Sequence, residues 1–247
     1  MPENLFEQSR EFYKDYFRAW DELSYDNKQR YGIVFSLIDG LALNNDARVL
    51  DVGSGSGRIT EFLKSRFDDV VAVDITTASL MQETLSAHNV GFAEARLPEL
   101  PFCRGAFDLI VCSEVIEHLP TRELQYASIE SLAQVLTEGG YLVLSTPNPQ
   151  SPQKRLKEVI WDVLETVGYE RKQDQLVENW ISPSYLRDTL SKHFDVETIR
   201  GSYYNLPPFG TNIDKKLQPL SDAITKRRVA SQYGLYQYYV GRKPVDQ

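Results

Sequence analysis

The sequence feature that most restricts the fold of this chain is an alternation of short apolar runs with segments of helical periodicity. The runs are continuously apolar, as in strands that are buried on both faces. They lie at residues 48–51, 69–74, 90–93, 107–112 and 141–145. Between the first two, Ile59, Leu63 and Phe67 recur at helical spacing. Because strands that alternate with helices form βαβ units, the sequence predicts a doubly wound α/β domain with a mostly parallel sheet.

The chain beyond residue 148 is predicted to complete this sheet and to carry insertions. Ser151 and Pro152 indicate the start of a helix, and Gly168 its end. Apolar residues at helical spacing form a stripe along that helix, which we expect to pack against another surface. The stripe consists of Leu156, Val159, Ile160, Val163 and Val167. Two later runs, at 194–199 and 235–240, have the composition of strands.

No segment of the sequence is rich enough in Gly, Ser or Pro to separate two domains. We therefore predict a single domain over residues 1–247, with a core at about 30–150. A helical N-terminal segment, 1–29, precedes the core, and a C-terminal part, 151–247, completes the sheet.

Composition limits the classes of partner and the location. The net charge of −8 argues against a broad nucleic-acid surface, which needs clustered Lys and Arg. No apolar run approaches the ~20 residues that span a bilayer. Cys103 and Cys112 cannot form a disulfide framework, and the charged, aromatic N-terminus is unlike a secretory signal. The sequence thus predicts a cytoplasmic protein, and it leaves the oligomeric state open.

A glycine-rich loop follows the first predicted strand and precedes the first helix of the core. Its glycines, Gly53, Gly55 and Gly57, permit positive φ angles and close approach of a ligand to the backbone. Ligands of open α/β sheets bind beyond the carboxyl ends of the strands, where this loop lies. A dinucleotide-binding loop would read G-x-G-x-x-G, but the third glycine here comes one residue early and is followed by Arg58. The spacing therefore disfavours a nicotinamide cofactor.

Together with Asp51, this loop resembles motif I of class I S-adenosylmethionine-dependent methyltransferases. Three further segments are similar to that family in the expected order. They are Asp74 after the second strand, Glu94-Ala95 after the third, and the stretch Leu100-Pro-Phe followed by Phe107-Asp-Leu-Ile-Val-Cys112. The resemblance implies a Rossmann-like seven-stranded sheet whose last strand is antiparallel, with helical N-terminal and insertion elements that form a cap.

The resemblance also implies which residues hold S-adenosylmethionine, whose product is S-adenosylhomocysteine. They are Asp51, Gly53, Ser54, Gly55, Gly57, Asp74, Ile75, Glu94, Ala95 and Ser113. Asp74 is expected to accept hydrogen bonds from both ribose hydroxyls, as a carboxylate can. Glu94-Ala95 is expected near the adenine amino group, and Ser113 is expected to face the cofactor. Arg30 or Lys28 is a candidate partner for its methionine carboxylate.

The residues after Ser113 offer candidates for catalysis. Glu114, Glu117 and His118 are spaced so that a helical turn would place them on one face. His118 could be a general base for a hydroxyl acceptor, oriented by Glu117 or Glu114. The three could instead bind a divalent metal, since the segment resembles those of ubiquinone-biosynthesis O-methyltransferases and small-RNA 2′-O-methyltransferases. The third hypothesis is structural, with His118 bonded to backbone and the acids in solvent.

The acceptor is predicted from aromatic residues outside the core. Phe12, Tyr13, Tyr16, Phe17 and Trp20 recur at helical spacing, and Tyr203, Tyr204 and Phe209 lie between prolines. Aromatic walls suit an aromatic or apolar small molecule, and we expect methylation at oxygen rather than nitrogen. The alternatives are methylation of a nucleic acid or protein, and a protein that binds the cofactor without methyl transfer.

Overall fold

The computed structural model describes residues 3–18, 25–76, 90–169, 177–202 and 233–245. Within these ranges the helices are α1 (Glu3–Arg18), α2 (Tyr25–Asp39), α3 (Arg58–Lys64), α4 (Arg122–Val135), α5 (Pro152–Thr166) and α6 (Pro183–Leu190). The strands are β1 (Arg48–Val52), β2 (Asp69–Asp74), β3 (Gly91–Glu94), β4 (Phe107–Ser113), β5 (Leu136–Pro147), β6 (Asp195–Ser202) and β7 (Tyr236–Arg242). Each strand predicted from the sequence is present, with its ends shifted by a few residues.

The seven strands form one sheet in the order β3-β2-β1-β4-β5-β7-β6. Strands β1 to β5 pair in parallel, whereas β7 runs antiparallel to both β5 and β6. The prediction of a mostly parallel seven-stranded sheet with an antiparallel last strand is confirmed. The strand order reverses between β1 and β4, which opens a crevice at the carboxyl ends of the strands where ligands of such sheets bind.

Helices cover both faces of the sheet. Successive residues of β1 point to opposite faces of the sheet, so Val49 lies in one apolar cluster and Leu50 and Val52 lie in the other. The cluster around Val49 is closed by α2 and α3, through residues that include Val34, Leu37, Ile59 and Leu63. The cluster around Leu50 is closed by α4 and α6, through residues that include Ile129, Leu132, Leu186 and Leu190. The carboxyl edge of the sheet is left for the site.

The end of α4 differs from the prediction. In the sequence, a helical stripe after Thr121 that is followed by Gly139-Gly140 predicts a helix that stops at the glycine pair, because a left-handed residue is needed there. In the structure, α4 ends at Val135 and β5 begins at the next residue. Leu136 pairs with Phe107 of β4, and Gly139 donates its amide to the carbonyl of Lys243, 2.9 Å away. Gly139 does take a positive φ of 75°. It does so within an irregular strand, because pairing with β4 and the chain after β7 replaces the helical hydrogen bonds.

Helix α5 has the predicted ends, but most of its apolar stripe is exposed. The Ser151 side chain accepts a hydrogen bond from the Lys154 amide, and Gly168 follows the helix with a φ of 93°. Four of the five apolar residues of its stripe are nevertheless exposed: Leu156 by 43%, Val159 by 59%, Val163 by 59% and Val167 by 67%. The surface that we expect to cover this stripe is therefore not found within the described part of the chain. Among the residues described, no helix is long and apolar enough to cross a membrane.

Candidate cofactor and acceptor site

The loop between β1 and α3 has the backbone that its glycines predicted. Gly53, Gly55 and Gly57 have φ angles of 71°, 52° and 81°, a region that side-chain-bearing residues avoid. The amide of Gly53 donates to the carbonyl of Val73 in β2, 2.8 Å away. A Cβ atom on Gly53 would overlap the side chain of Val115. The loop is thus a cradle that keeps its form only while it lacks side chains at these positions.

Asp51 lies beneath this loop, in β1, and is almost fully buried. Its Oδ2 accepts a hydrogen bond from the Thr60 hydroxyl in α3, at 2.6 Å. Burial, with a smaller contribution from the nearby charge of Asp74, raises the pKa of Asp51 to about 7, although the hydrogen bond from Thr60 opposes the shift. Asp51 therefore ties the loop to the start of α3 from below.

Asp74 ends β2 beside the loop and is also buried. Its Oδ2 accepts from the Gly55 amide at 2.8 Å, and its Oδ1 accepts from the Thr76 amide at 3.2 Å. Burial raises the pKa of Asp74 to about 6, although these amides oppose the shift. The Ile75 amide also bonds to this carboxylate, and since a carboxylate offers about four lone-pair sites, Asp74 can still accept a further hydrogen bond. The Asp74 carboxylate and the glycine loop therefore lie side by side at the end of β2, and their contact with the ribose of S-adenosylmethionine stays a prediction.

The third strand places Glu94 directly opposite Asp74 in the sheet register. The amide of Ala95 donates to the carbonyl of Asp74 at 2.9 Å. The Glu94 side chain is exposed and forms an ion pair with Arg10 of α1 at 2.8 Å. Glu94 and Ala95 therefore lie beside the carboxylate predicted for the ribose, and their contact with adenine stays a prediction.

The ends of β4 and β5 bring together a second set of polar side chains. The hydroxyls of Ser113 and Ser145 are hydrogen-bonded at 2.7 Å. Glu114 follows with a φ of 58°, unusual for a residue other than glycine, and its carboxylate forms an ion pair with Arg30 of α2. The Arg30 guanidinium also lies 4.7 Å from the centre of the Tyr236 ring. Arg30, a candidate for the methionine carboxylate, thus lies at this edge, while the Lys28 side chain is outside the described part.

Glu117 belongs to a short 3₁₀ turn, Ile116–His118, and is only 2% exposed. The Thr146 hydroxyl donates to its Oε2 at 3.2 Å. Burial raises the pKa of Glu117 well above the usual range, and the charge of Glu114 adds to this. Glu117 is therefore a buried carboxyl group that is hydrogen-bonded to a residue of β5.

His118 ends the same turn and is half-buried. Its Nδ1 lies 3.0 Å from the carbonyl oxygen of Val177. Because a carbonyl can only accept, Nδ1 carries the hydrogen and Nε2 carries the basic lone pair. Burial lowers the pKa of His118 below its ordinary value. The imidazole is therefore neutral at physiological pH and has the form that a general base requires.

The three candidate side chains do not share one face of a helical turn. Glu114 precedes the turn and contacts Arg30, Glu117 contacts Thr146, and His118 contacts the backbone of Val177. Within the described ranges, no group of three His, Cys, Asp or Glu side chains is arranged to hold a metal ion. Two of the hypotheses, a shared metal site and a glutamate that orients His118, depended on all three side chains lying on one face. The structure does not show that arrangement.

The segment at 177–180, which no sequence motif indicated, supports this turn. The Asn179 amide donates to the carbonyl of Glu117 at 2.8 Å. Gln125 of α4 is fully buried, and its Nε2 donates to the carbonyl of Asn179 at 2.8 Å and to that of Ile116 at 3.1 Å. A glutamine on the buried side of α4 is the one local signal that could have indicated a polar network there.

Helix α1 crosses the carboxyl edge and links the two sets of side chains. Besides the Arg10–Glu94 ion pair, its Tyr13 ring lies 5.5 Å from the His118 ring. Tyr13 and Phe12 are the described members of the predicted aromatic wall. The side chains of Tyr16 and Phe17 are not described, and Trp20, Tyr203, Tyr204 and Phe209 lie outside the described residues. One end of the predicted cap is therefore in place.

Comparison with known proteins agrees with this geometry. Residues 26–199, more than half of the chain, match the family model described as a methyltransferase domain. The ubiquinone biosynthesis O-methyltransferase of Paracidovorax citrulli is 28% identical over 175 residues, which cover 68% of this chain and 71% of that protein. The protein of the same name from Psychrobacter cryohalolentis is 31% identical over 120 residues, and the match spans 46% of this chain and 45% of the relative.

Solved structures show the same fold. The 1,6-didemethyltoxoflavin-N1-methyltransferase of Burkholderia thailandensis, solved with S-adenosylhomocysteine, superposes with a TM-score of 0.62 at 17% identity. The superposition covers 98% of this chain and 88% of that one. The glycine cradle, the carboxylate at the end of β2 and the family match lead to one assignment. The chain belongs to the methyltransferase domain family and is a class I S-adenosylmethionine-dependent methyltransferase.

Proposed function

We propose that this methyltransferase transfers the methyl group to an oxygen atom of a small-molecule acceptor, with His118 as the general base. The observation that carries the proposal is the state of His118. Its Nδ1 is engaged by the Val177 carbonyl and its pKa is lowered, so a basic Nε2 is present at neutral pH. A neutral hydroxyl is a poor nucleophile and gains from such a base, whereas an uncharged amine is nucleophilic enough to react before it loses a proton.

The chain's residues divide the work between cofactor and acceptor. The loop at 53–57 and Asp74 would hold the cofactor by its ribose, and Glu94-Ala95 would lie along its adenine. When bound, S-adenosylmethionine would supply a methyl group attached to a positively charged sulfur. A nucleophilic oxygen can attack the carbon of this methyl group, with the sulfur as leaving group. His118 would accept the hydroxyl proton as the new oxygen–carbon bond forms. Much of the remaining catalysis would come from positioning the acceptor in line and excluding water.

The acceptor side favours an aromatic or apolar small molecule. Tyr13 of α1 lies against His118 and offers an aromatic surface next to the proposed base. The net charge of −8 disfavours binding of a polyanion such as RNA. The relatives from Paracidovorax citrulli and Psychrobacter cryohalolentis are named O-methyltransferases, which supports oxygen as the acceptor atom.

The proposal is tested with matched acceptors that differ in one atom type. Purified chain is incubated with methyl-labelled S-adenosylmethionine and either catechol or ortho-phenylenediamine, which share a ring and differ in hydroxyl versus amine. We expect label on oxygen in the catechol product, with an equal amount of S-adenosylhomocysteine, and little transfer to the diamine. Transfer to the amine alone, or to added RNA or protein alone, would contradict the proposal. The assay is then extended to a series of hydroxyarenes. Cofactor binding without turnover of any member of that series would indicate a protein that binds the cofactor but does not transfer its methyl group.

A further inference from the structure

The apolar face of α5 is the most exposed hydrophobic surface among the described residues. Leu156, Val159, Val163 and Val167 lie along one side of the helix, and Tyr169 just beyond it is 63% exposed. Soluble monomers rarely expose a contiguous apolar stripe, and such stripes mark interaction surfaces. The polar side chains beside this stripe indicate what binds it.

Charge is distributed unequally along α5. In sequence, its basic residues come first, at Lys154, Arg155 and Lys157, and its acidic residues follow, at Glu158, Asp162 and Glu165. Arg155 and Asp162 are both exposed and lie seven residues apart. Seven residues make nearly two helical turns, so the two side chains lie on the same flank of the apolar stripe with opposite charge.

We propose that the apolar face of α5 binds the same face of a second copy of this chain, with the two helices antiparallel. A two-fold axis near Val159 would bring Leu156 of one copy against Val163 of the other. In antiparallel helix pairs, a given flank of one helix faces the same flank of the other. Arg155 of each copy therefore faces Asp162 of the other copy, and the interface contains this pair twice, as an isologous contact requires.

The same charges disfavour a lipid surface as the occupant. Helices that lie in a membrane interface carry Lys and Arg on the polar face, whereas here Asp162 lies on the rim of the apolar stripe and Glu165 follows it. The chain as a whole has a net charge of −8, which is repelled by anionic lipid. A second copy of α5 complements both ends of the helix.

The size of the surface sets the expected affinity. A 15-residue helix is about 22 Å long, and one face of it supplies less than the ~800 Å² per partner of a standard interface. We therefore expect a dimer that forms and dissociates at micromolar concentrations, in the range of weak and transient interfaces.

The test is sedimentation equilibrium of the full chain from 1 to 200 µM. We expect a monomer–dimer equilibrium in the wild type, and Val159→Glu should raise the dissociation constant by at least ~100-fold because it buries a charge at the centre of the interface. Val245→Glu is the control, since Val245 is 62% exposed but lies outside α5. Melting curves of each variant check that the fold is intact.

A charge exchange tests the antiparallel arrangement itself. Arg155→Asp places like charges opposite each other twice, as does Asp162→Arg, and each should weaken the dimer ~10-fold. The double variant Arg155→Asp with Asp162→Arg restores opposite charges and should restore the dimer. A rescue of this kind would not occur if either substitution merely damaged the helix.

Three results would overturn the proposal. The wild type could remain monomeric to 200 µM, or it could dimerise with no effect of Val159→Glu and no rescue by the double variant. The third is a monomeric chain that sediments with phosphatidylcholine vesicles, or with vesicles that also contain phosphatidylglycerol, and loses that binding in Val159→Glu. None of these measurements depends on methyl transfer, so they stand apart from the proposed function.

Discussion

The two halves of the carboxyl edge are built in different ways. In the half formed by the ends of β1, β2 and β3, the loop at 53–57 and its carboxylates are joined by contacts between residues close in sequence. Asp51 meets Thr60 nine residues away, and Asp74 meets Gly55 nineteen residues away. In the half formed by the ends of β4 and β5, Arg30 meets Glu114 across 84 residues and His118 meets Val177 across 59.

The two halves therefore depend on different parts of the chain. A cradle made by one loop and the next strand end is retained whenever that βαβ unit folds. The acceptor half, at the ends of β4 and β5, depends on α1, α2 and the segment at 177–180, which are distant in sequence from residues 113–118. Substitutions in the first half should therefore act on cofactor affinity, and those in the second on turnover.

The largest effect is expected from Gly55→Val. Gly55 has a φ of 52°, where a β-branched residue is strained, and its side chain would project into the cradle. We expect cofactor binding below detection by calorimetry in a folded protein. Gly105→Val is the matched control, because Gly105 has a φ of 63° but lies in an exposed turn away from the edge. Normal binding by the Gly55 variant would show that the loop is an ordinary turn.

Next is His118→Ala, which tests the acceptor half. Loss of a general base should lower kcat by ~10²–10⁴ while the dissociation constant of the cofactor changes little. His193→Ala, in which another partly buried ring is removed from beside Phe194, controls for lost packing. A chelator that lowers wild-type turnover, with Mg²⁺ restoring it, would favour the metal hypothesis over the base. Wild-type kcat in the alanine variant would leave positioning as the source of catalysis.

Asp74→Ala should have a smaller effect, confined to cofactor binding. Loss of charge-assisted hydrogen bonds costs about 1.5–3 kcal/mol, which corresponds to a dissociation constant about 10- to 150-fold higher. Asp69→Ala is the control, since Asp69 is an exposed carboxylate at the other end of the same strand. Unchanged affinity in a folded Asp74 variant would remove this residue from the cofactor site.

The smallest effect is that of pH on cofactor affinity. The pKa of Asp74 is raised to about 6 by burial, and the protonated carboxyl accepts fewer hydrogen bonds than the ionised one. Between pH 7 and pH 5, binding should weaken about 10-fold, as the ionised fraction falls by that factor. Asp74→Asn should bind weakly with a much shallower dependence on pH, and an equally steep dependence in that variant would assign the effect to another group.

Protonation of the same carboxyls should change stability in the opposite direction. Asp51 and Asp74 have pKa values of about 7 and 6 in the folded chain, above the ordinary value of 3.8. Between about pH 4 and pH 7 the folded state then binds more protons than the unfolded state, so their contribution to the free energy of unfolding falls as pH rises. Urea unfolding at pH 5 and pH 7 measures this. Cofactor affinity is thus expected to be highest near pH 7, where Asp51 and Asp74 contribute least to the free energy of unfolding.

Several elements could be predicted from the sequence because their causes are local. The runs at 48–51 and 107–112 indicated buried strands, and the glycines at 53–57 indicated a loop with positive φ. The end of α4 could not be predicted in the same way. Gly139 has the positive φ that a helix cap would need, but pairing of Leu136 with Phe107 turned the preceding residues into strand. Strand pairing between distant segments overrode the local preference there.

The order of strands and helices along the chain, the glycine cradle and the carboxylate at the end of β2 could all be inferred from the amino-acid sequence alone. Each follows from backbone conformational preference or from burial repeated along a few residues. The tertiary structure decided that Glu114, Glu117 and His118 have three separate partners, and that the apolar stripe of α5 faces outward. A spacing of three or four residues determines which side chains share a helix face, provided that a helix forms. Which distant residues a side chain meets depends on how the whole chain packs.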